Sequence, residues 1–309
     1  MPRKPRIHYP DAIFHVILRG NAGEPIFFDD RDRYRLYLLL QYAVETYRCR
    51  IHAFCLMSNH LHLVVQVESV PLTRIMQNLA QRYTQWINRM HSRTGHVFQG
   101  RYKALLIDAD AYLLELVRYI HLNPVRAGIA STATSYPWSG HHGYLGKETL
   151  PWLTTDLVLS MLSQNGASAR SAYAAFVQAG LGEDRRDVFH RGTCDGRILG
   201  DEAFVDGILT RTKQRQGRVY TLDEVVNRVC AHYCLSSAAI GLPGKARPMA
   251  KARALAAAIV QASPHLRLTD LAAVLGRELS ALGKAAQRLM REENARALVA
   301  HMVEDLSFP

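Results

Sequence analysis

At 309 residues, 48% of them hydrophobic and 21% charged, the chain has the composition of a folded protein rather than a disordered one, and it is long enough for one large core or two modest ones. Its net charge of +11 favours an anionic partner, and the excess is concentrated early: residues 1–128 carry 17 Lys/Arg against 10 Asp/Glu, and the remainder 21 against 17. No apolar run approaches the ~18 residues of a membrane span, the basic opening Met1–Arg6 lacks the apolar stretch of a secretory signal, and five scattered cysteines exclude a disulfide framework.

The cysteine usage points to a reducing, cytoplasmic setting, and the opening residues 1–6 read as an arm that touches phosphates or as a frayed terminus, the arm being preferred. Residues 12–20, β-branched and apolar, predict a strand stopped by Gly20. Asp29-Asp30 are start signals for a helix over 31–47. Residues 50–57 and 60–68 predict two strands tightly linked at Ser58-Asn59. A helix follows over 71–92, with Leu72, Ile75, Met76, Leu79, Tyr83 and Trp86 along one stripe. Residues 97–107 predict a strand, and 109–122 a helix whose Leu113, Leu116, Val117 and Ile120 recur at spacings of three and four. The order β-α-β-β-α-β-α predicts an α+β fold of ferredoxin-like type, an antiparallel sheet with helices on one face.

Turn formers then dominate Ser135–Gly140, amphipathic helices occupy 154–181, and the Gly-, Asp- and Arg-rich stretch 182–200 reads as irregular. From residue 218 the pattern is all-helical. Thr221-Leu222-Asp223-Glu224 is a capping start, an alanine-rich helix spans 248–262, and Gly276 separates two short helices over 268–275 and 280–292. That last pair fits a helix-turn-helix and a plain bundle equally well. The organisation expected is therefore a first domain over 1–140, a helical connector over 141–217 and a helical domain over 218–309. Cys230-Ala-His232-Tyr-Cys234 lacks a second pair at zinc spacing and reads as helix.

Two motifs carry chemistry. In His60-Leu61-His62 the two imidazoles share one face of a strand while Leu61 points to the core. Such a pair can bind one divalent cation, or be two polar residues on a half-buried strand. Further on, Tyr119 and Asn123 are four apart and lie on one helix face, with the helix expected to end near Asn123 because it precedes Pro124. A phenol and an amide there are either ordinary packing or a nucleophile with a companion.

The ordered motifs Met57-Ser58-Asn59-His60-Leu61-His62, Val97-Phe98-Gln99-Gly100-Arg101-Tyr102 and Tyr119-Ile120-His121-Leu122-Asn123-Pro124-Val125 resemble the single-tyrosine His-hydrophobe-His (HUH) transposases, most closely the REP-associated tyrosine transposases, over roughly residues 8–140. The resemblance implies cleavage and joining of single-stranded or hairpin DNA by Tyr119 through a 5′-phosphotyrosine, with Mg2+ or Mn2+ held by His60, His62 and Asn123 and no nucleotide cofactor. It implies substrate contacts from Arg19, Gln99, Arg101 and Lys103. Tyr83, Trp86 and Phe98 read as core packing rather than base stacking, and His15, His52 and His121 as structural. An alternative is a domesticated DNA-binding protein whose catalytic fold serves as a docking platform; the intact His60, His62, Tyr119 and Asn123 favour the enzyme, acting as a monomer or homodimer. The segments Val225–Cys230, Met249–Arg253 and Leu271–Arg277 are similar to the C-terminal duplex-binding domain of the replication initiator DnaA. That likeness implies duplex phosphate contacts from Lys251, Arg253 and Arg277. Glu278-Leu279-Ser280 departs from the acidic, histidine and Ser/Thr pattern that reads bases in that family. Because the catalytic set is complete by residue 128, a fragment ending near Gly146 is expected to retain the chemistry.

Overall fold

Apolar alternation on both sides of the strands builds a sheet that needs two cover layers. In the computed structural model, which describes residues 7–183, 186–215, 220–242, 244, 246–263 and 265–307, β1 (Ile13–Arg19) sends Phe14, Val16 and Leu18 to one face and Ile13 and His15 to the other. Residues 1–6, read as a phosphate-binding arm, lie outside the described residues. α1 (Asp30–Tyr47) begins on a capping box between Asp29 and Asp32. β2 (Arg50–Leu56) and β3 (His60–Gln66) form the expected hairpin, followed by α2 (Leu72–Met90) and β4 (Lys103–Ile107). β1 pairs antiparallel with both β3 and β4, and β2 antiparallel with β3. The order β2-β3-β1-β4 is the ferredoxin-like arrangement.

Three features differ from expectation. The first is the helix layers. α1 and α2 cover the face of Phe14, Val16, Leu61, Leu63 and Val65, while α3 (Ala109–His121) covers the opposite face with Ile13, Cys55, Val64, Leu105 and Ile107. Helices therefore lie on both faces, because the strands are apolar on both. The second is the strand expected over 97–107, which forms only from Lys103. Gly100, at φ +99°, turns the chain, and before it only a Gly20–Phe98 bridge and hydrogen bonds from Asn21 N to Val97 O and Gln99 N to Arg19 O, both 2.9 Å, hold residues 97–99 beside the end of β1.

The third is the expected connector. The chain divides by contacts into Met1–Thr212 and Lys213–Pro309, so residues 141–212 belong to the first unit. After α4 (Asn123–Arg126) come α5 (His141–Tyr144), α6 (Asp156–Ser160), α7 (Gly166–Ala179) and α8 (Val188–Arg191), then β5 (Ile198–Leu199) and α9 (Glu202–Arg215). Tyr144, Val158, Tyr173, Val177, Phe189 and Leu199 are buried in the same core as α3. β5 pairs parallel with β4, making the sheet a mixed one of five strands. The stretch 182–200, read as irregular, thus holds a helical turn and an added strand.

The second unit is helical: α10 (Leu222–His232), α11 (Arg247–Ala262), α12 (Leu268–Leu275), α13 (Leu279–Leu289) and α14 (Glu293–Ser307). Thr221 and Glu224 form the expected capping box of α10. α11 buries Ala252 to Val260 continuously, as a helix does when neighbours surround it. Gly276 closes α12 in the left-handed conformation, φ +58°, before α13. Among the described residues no helix is long and apolar enough to cross a membrane.

Candidate active site

Register places the two imidazoles of β3. His60 lies opposite Arg19 of β1 and His62 opposite Ile17, so Arg19, Ile17, His60 and His62 share one face, and it is the face α3 covers. The imidazole rings stand 5.1 Å apart between centroids. His62 is buried and its Nε2 meets no hydrogen-bond partner among the described residues. Its Nδ1 instead meets Nε2 of His15 at 2.9 Å, and Nδ1 of His15 meets the carbonyl of Phe189 at 3.0 Å. His60 Nδ1 meets Asn59 Oδ1 at 2.7 Å.

Electrostatics keep these rings uncharged at neutral pH. Burial, reinforced by Arg19, pushes His60 down to about 4. Burial pushes His15 to about 3, and holds His62 well below the ordinary histidine range, with His15 and His60 adding to the effect.

The other half of the site comes from α3 and α8. Tyr119 is 4% exposed, and its hydroxyl shares a hydrogen bond of 2.7 Å with Nε2 of His190. Its ring packs on Phe189, 4.9 Å between centroids, and the Arg126 guanidinium lies 4.1 Å from its centroid while also donating to the Tyr119 carbonyl. His190 in turn stands edge-on to His62, centroids 6.0 Å apart, and so borders both the phenol and the imidazole pair. α3 does not simply stop before Pro124: it ends at His121, and Asn123-Pro124 opens the short α4, where proline's missing N–H is tolerated. Asn123 is half-buried and its Nδ2 has no hydrogen-bond partner among the described residues.

A divalent cation fits the donor set in one respect that the fold itself supplies, the bare buried Nε2 of His62 beside His60. Among the described residues no group of three or more His, Cys, Asp or Glu is arranged to hold a metal ion, so further ligands would have to be an amide such as Asn123 or oxygens of a substrate.

The other sequence-designated residues fall into two groups. Arg19 is exposed at the His60 end of β1. Lys103, exposed opposite Ile17, lies on the same face. Gln99 and Arg101 are exposed at the Gly100 turn beside Arg19. In the second unit Lys251 is exposed, but Arg253 is only 8% exposed and donates to the carbonyls of Ile240, Leu242 and Gly244. The reading of Arg253 as a phosphate contact is corrected: its guanidinium ties the carbonyls of Ile240, Leu242 and Gly244 to α11. Arg277 is half-buried and donates to the same Leu242 carbonyl at 2.8 Å.

His15, read from sequence as structural, and His190 and Arg126, not singled out at all, are the site's additional polar groups. Only Arg126 carried a usable signal, its position seven residues beyond Tyr119 at the end of the helical motif.

Residues 8–123 match the family model described as IS200-like transposase. A putative REP-associated tyrosine transposase of Haemophilus influenzae is 25% identical over 120 residues, which is 35% of this chain and 67% of that protein. Among solved structures, a REP-associated tyrosine transposase bound to a REP hairpin superposes with a TM-score of 0.42 at 16% identity, over 50% of this chain and 92% of the other. The family match ends at Asn123, before α5 to α9 and therefore before Phe189 and His190.

Proposed function

We propose, from the premise that through residues 8–123 this chain belongs to the IS200-like transposases of REP-associated tyrosine type, that it nicks and rejoins single-stranded DNA by way of a covalent bond to Tyr119. The observation that carries the reading is His190 bordering both the Tyr119 hydroxyl and the His62 ring, which puts a phenol and an imidazole pair in one place.

In the cleavage step the Tyr119 oxygen attacks a phosphodiester phosphorus. The Tyr119 O–P bond forms, the P–O3′ bond breaks, the phenolic proton passes to His190 Nε2 and the departing 3′-oxygen takes up a proton. Arg126, a cation against the Tyr119 ring, favours the phenolate that this transfer creates. Joining is the reverse, with a 3′-hydroxyl attacking the phosphotyrosine, so the ester conserves the bond energy. A Mg2+ or Mn2+ ion held by His60, His62 and Asn123 would supply Lewis-acid polarisation of the phosphate oxygens. Arg19, Lys103, Gln99 and Arg101 lie where a strand entering from the His60 end would meet them. REP-associated DNA is the substrate class suggested by the relative's name, and the second unit binds duplex DNA through Lys251 and other exposed cations.

The test is a labelled hairpin with a single-stranded flank, incubated with the full chain and Mn2+ and resolved on a denaturing gel. Wild type is expected to give a covalent protein–DNA band, EDTA to remove it, and Tyr119→Phe to abolish it while DNA binding persists. An undiminished adduct from Tyr119→Phe would reject the assignment.

A further inference from the structure

Both imidazoles of the β3 pair are held through their Nδ1 atoms, by two different devices. For His60 the device is local. Asn59 donates its Nδ2 to the Gly23 carbonyl at 3.1 Å, which leaves its Oδ1 to face His60 Nδ1 at 2.7 Å. An amide oxygen only accepts, so His60 carries its proton on Nδ1 and presents Nε2 bare. For His62 the device is a relay across strands. His15 and His62 are diagonal neighbours on β1 and β3, each about 1% exposed, and both nitrogens of the His15 ring have partners. The Phe189 carbonyl can only accept, so the His15 proton is on Nδ1. His15 Nε2 is then the acceptor, His62 Nδ1 the donor, and the lone pair of His62 is left on Nε2. The two ring planes are 18° apart with centroids 5.2 Å apart, as expected of rings joined edge to edge by an N–H···N bond.

Resting on the reading that His60 and His62 hold a divalent cation, we propose that His15 is a positioning residue for that site: it fixes the tautomer and rotation of His62 so that Nε2 faces the metal, and it is itself fixed by the Phe189 carbonyl of α8. Ligating histidines are generally oriented by an acceptor on their other nitrogen, and loss of that acceptor costs about 10–100-fold in metal affinity. Here the acceptor is an imidazole rather than a carboxylate. It brings no negative charge to the site, and it works only while α8 is docked.

The experiment uses the full chain without DNA and Mn2+ alone as the probe, with free Mn2+ read by electron paramagnetic resonance. The His62 tautomer is read separately in metal-free wild type from long-range 1H–15N correlations. The expected tautomer is Nδ1–H with bare Nε2. His15→Leu is expected to weaken Mn2+ binding about 10–100-fold, and His15→Gln, whose amide oxygen reaches the place of the lost Nε2, to recover most of it. Three results would each overturn the proposal: a His62 protonated on Nε2, Mn2+ binding by folded His15→Leu within about twofold of wild type, or His15→Gln no better than His15→Leu. If His15→Leu does not fold, the wild-type tautomer and the Gln variant still decide. Wild type that binds no Mn2+ would overturn the metal reading itself, an outcome distinct from a metal site indifferent to His15.

Discussion

Tyr119 and His190 are 71 residues apart in sequence and 2.7 Å apart in space. The hydrogen bond joins a helix inside the family-matched region to a single helical turn outside it. If this contact carries the phenolic proton, His190→Ala will slow covalent adduct formation by about 10²–10⁴-fold in single-turnover measurements while hairpin affinity stays near wild type. An unchanged rate would leave His190 a packing neighbour only.

Truncation distinguishes the boundary found here from the one expected in the sequence. A fragment ending at Thr212 is expected to fold and to form the adduct. A fragment ending at Gly146 is expected to be insoluble or inactive, because it removes β5, Tyr173, Val177 and Phe189 from the core under α3 together with His190. Circular dichroism melts and the adduct assay on the two fragments check this. Wild-type activity in the shorter one would contradict the packing argument.

The fold should be acid-labile in a defined window. Burial pushes His141 down to about 4 and also lowers His52. In the unfolded chain both titrate near 6.5. Between about 6.5 and 4 the unfolded state therefore binds protons that the folded state does not, and stability falls as pH falls through that range. Above about 6.5 these residues contribute no slope. Denaturant midpoints at pH 5 and 7.5 are expected to show the loss, with His141→Gln reducing it, and equal midpoints would refute it.

In the second unit Lys251 and Arg253 should separate binding from folding. Lys251→Ala is expected to weaken duplex binding and to reduce the salt slope by about one unit without altering the melt. Arg253→Ala removes the donor from the Ile240 and Gly244 carbonyls and one of two donors from that of Leu242, and should cost on the order of 1 kcal/mol or more, about 4–8 °C for a domain of this size. Equal melting temperatures for wild type and Arg253→Ala would reject the structural role.

What was legible in the sequence was what is local. Alternation put His60 and His62 on one face, the four-residue spacing put Asn123 one turn beyond Tyr119, and the Thr221–Glu224 box marked the start of α10. The helices were expected on one face, although the runs Leu63-Val64-Val65 and Leu105-Leu106-Ile107 are apolar on both alternations and so call for cover on two. The rest depends on long-range register. That His15 meets His62 follows from a diagonal between strands 47 positions apart. α8 and β5 are too short for any periodicity, so Phe189 and His190 sat unseen in a stretch rich in turn formers. Arg253 resembled every other exposed cation in the sequence, and only the structure shows it turned to the carbonyls of Ile240, Leu242 and Gly244.

The placement of α8 also has a consequence in time. During synthesis β1 to β4, His60, His62 and Tyr119 leave the ribosome before α8 and β5 do, and such chains fold as they emerge. A nascent chain complete only to Asn123 holds the entire family motif, yet His62 lacks its relay and Tyr119 its partner. The pairing of Tyr119 with His190 and of His62 with His15 and Phe189 is therefore completed late, only once α8 has been made.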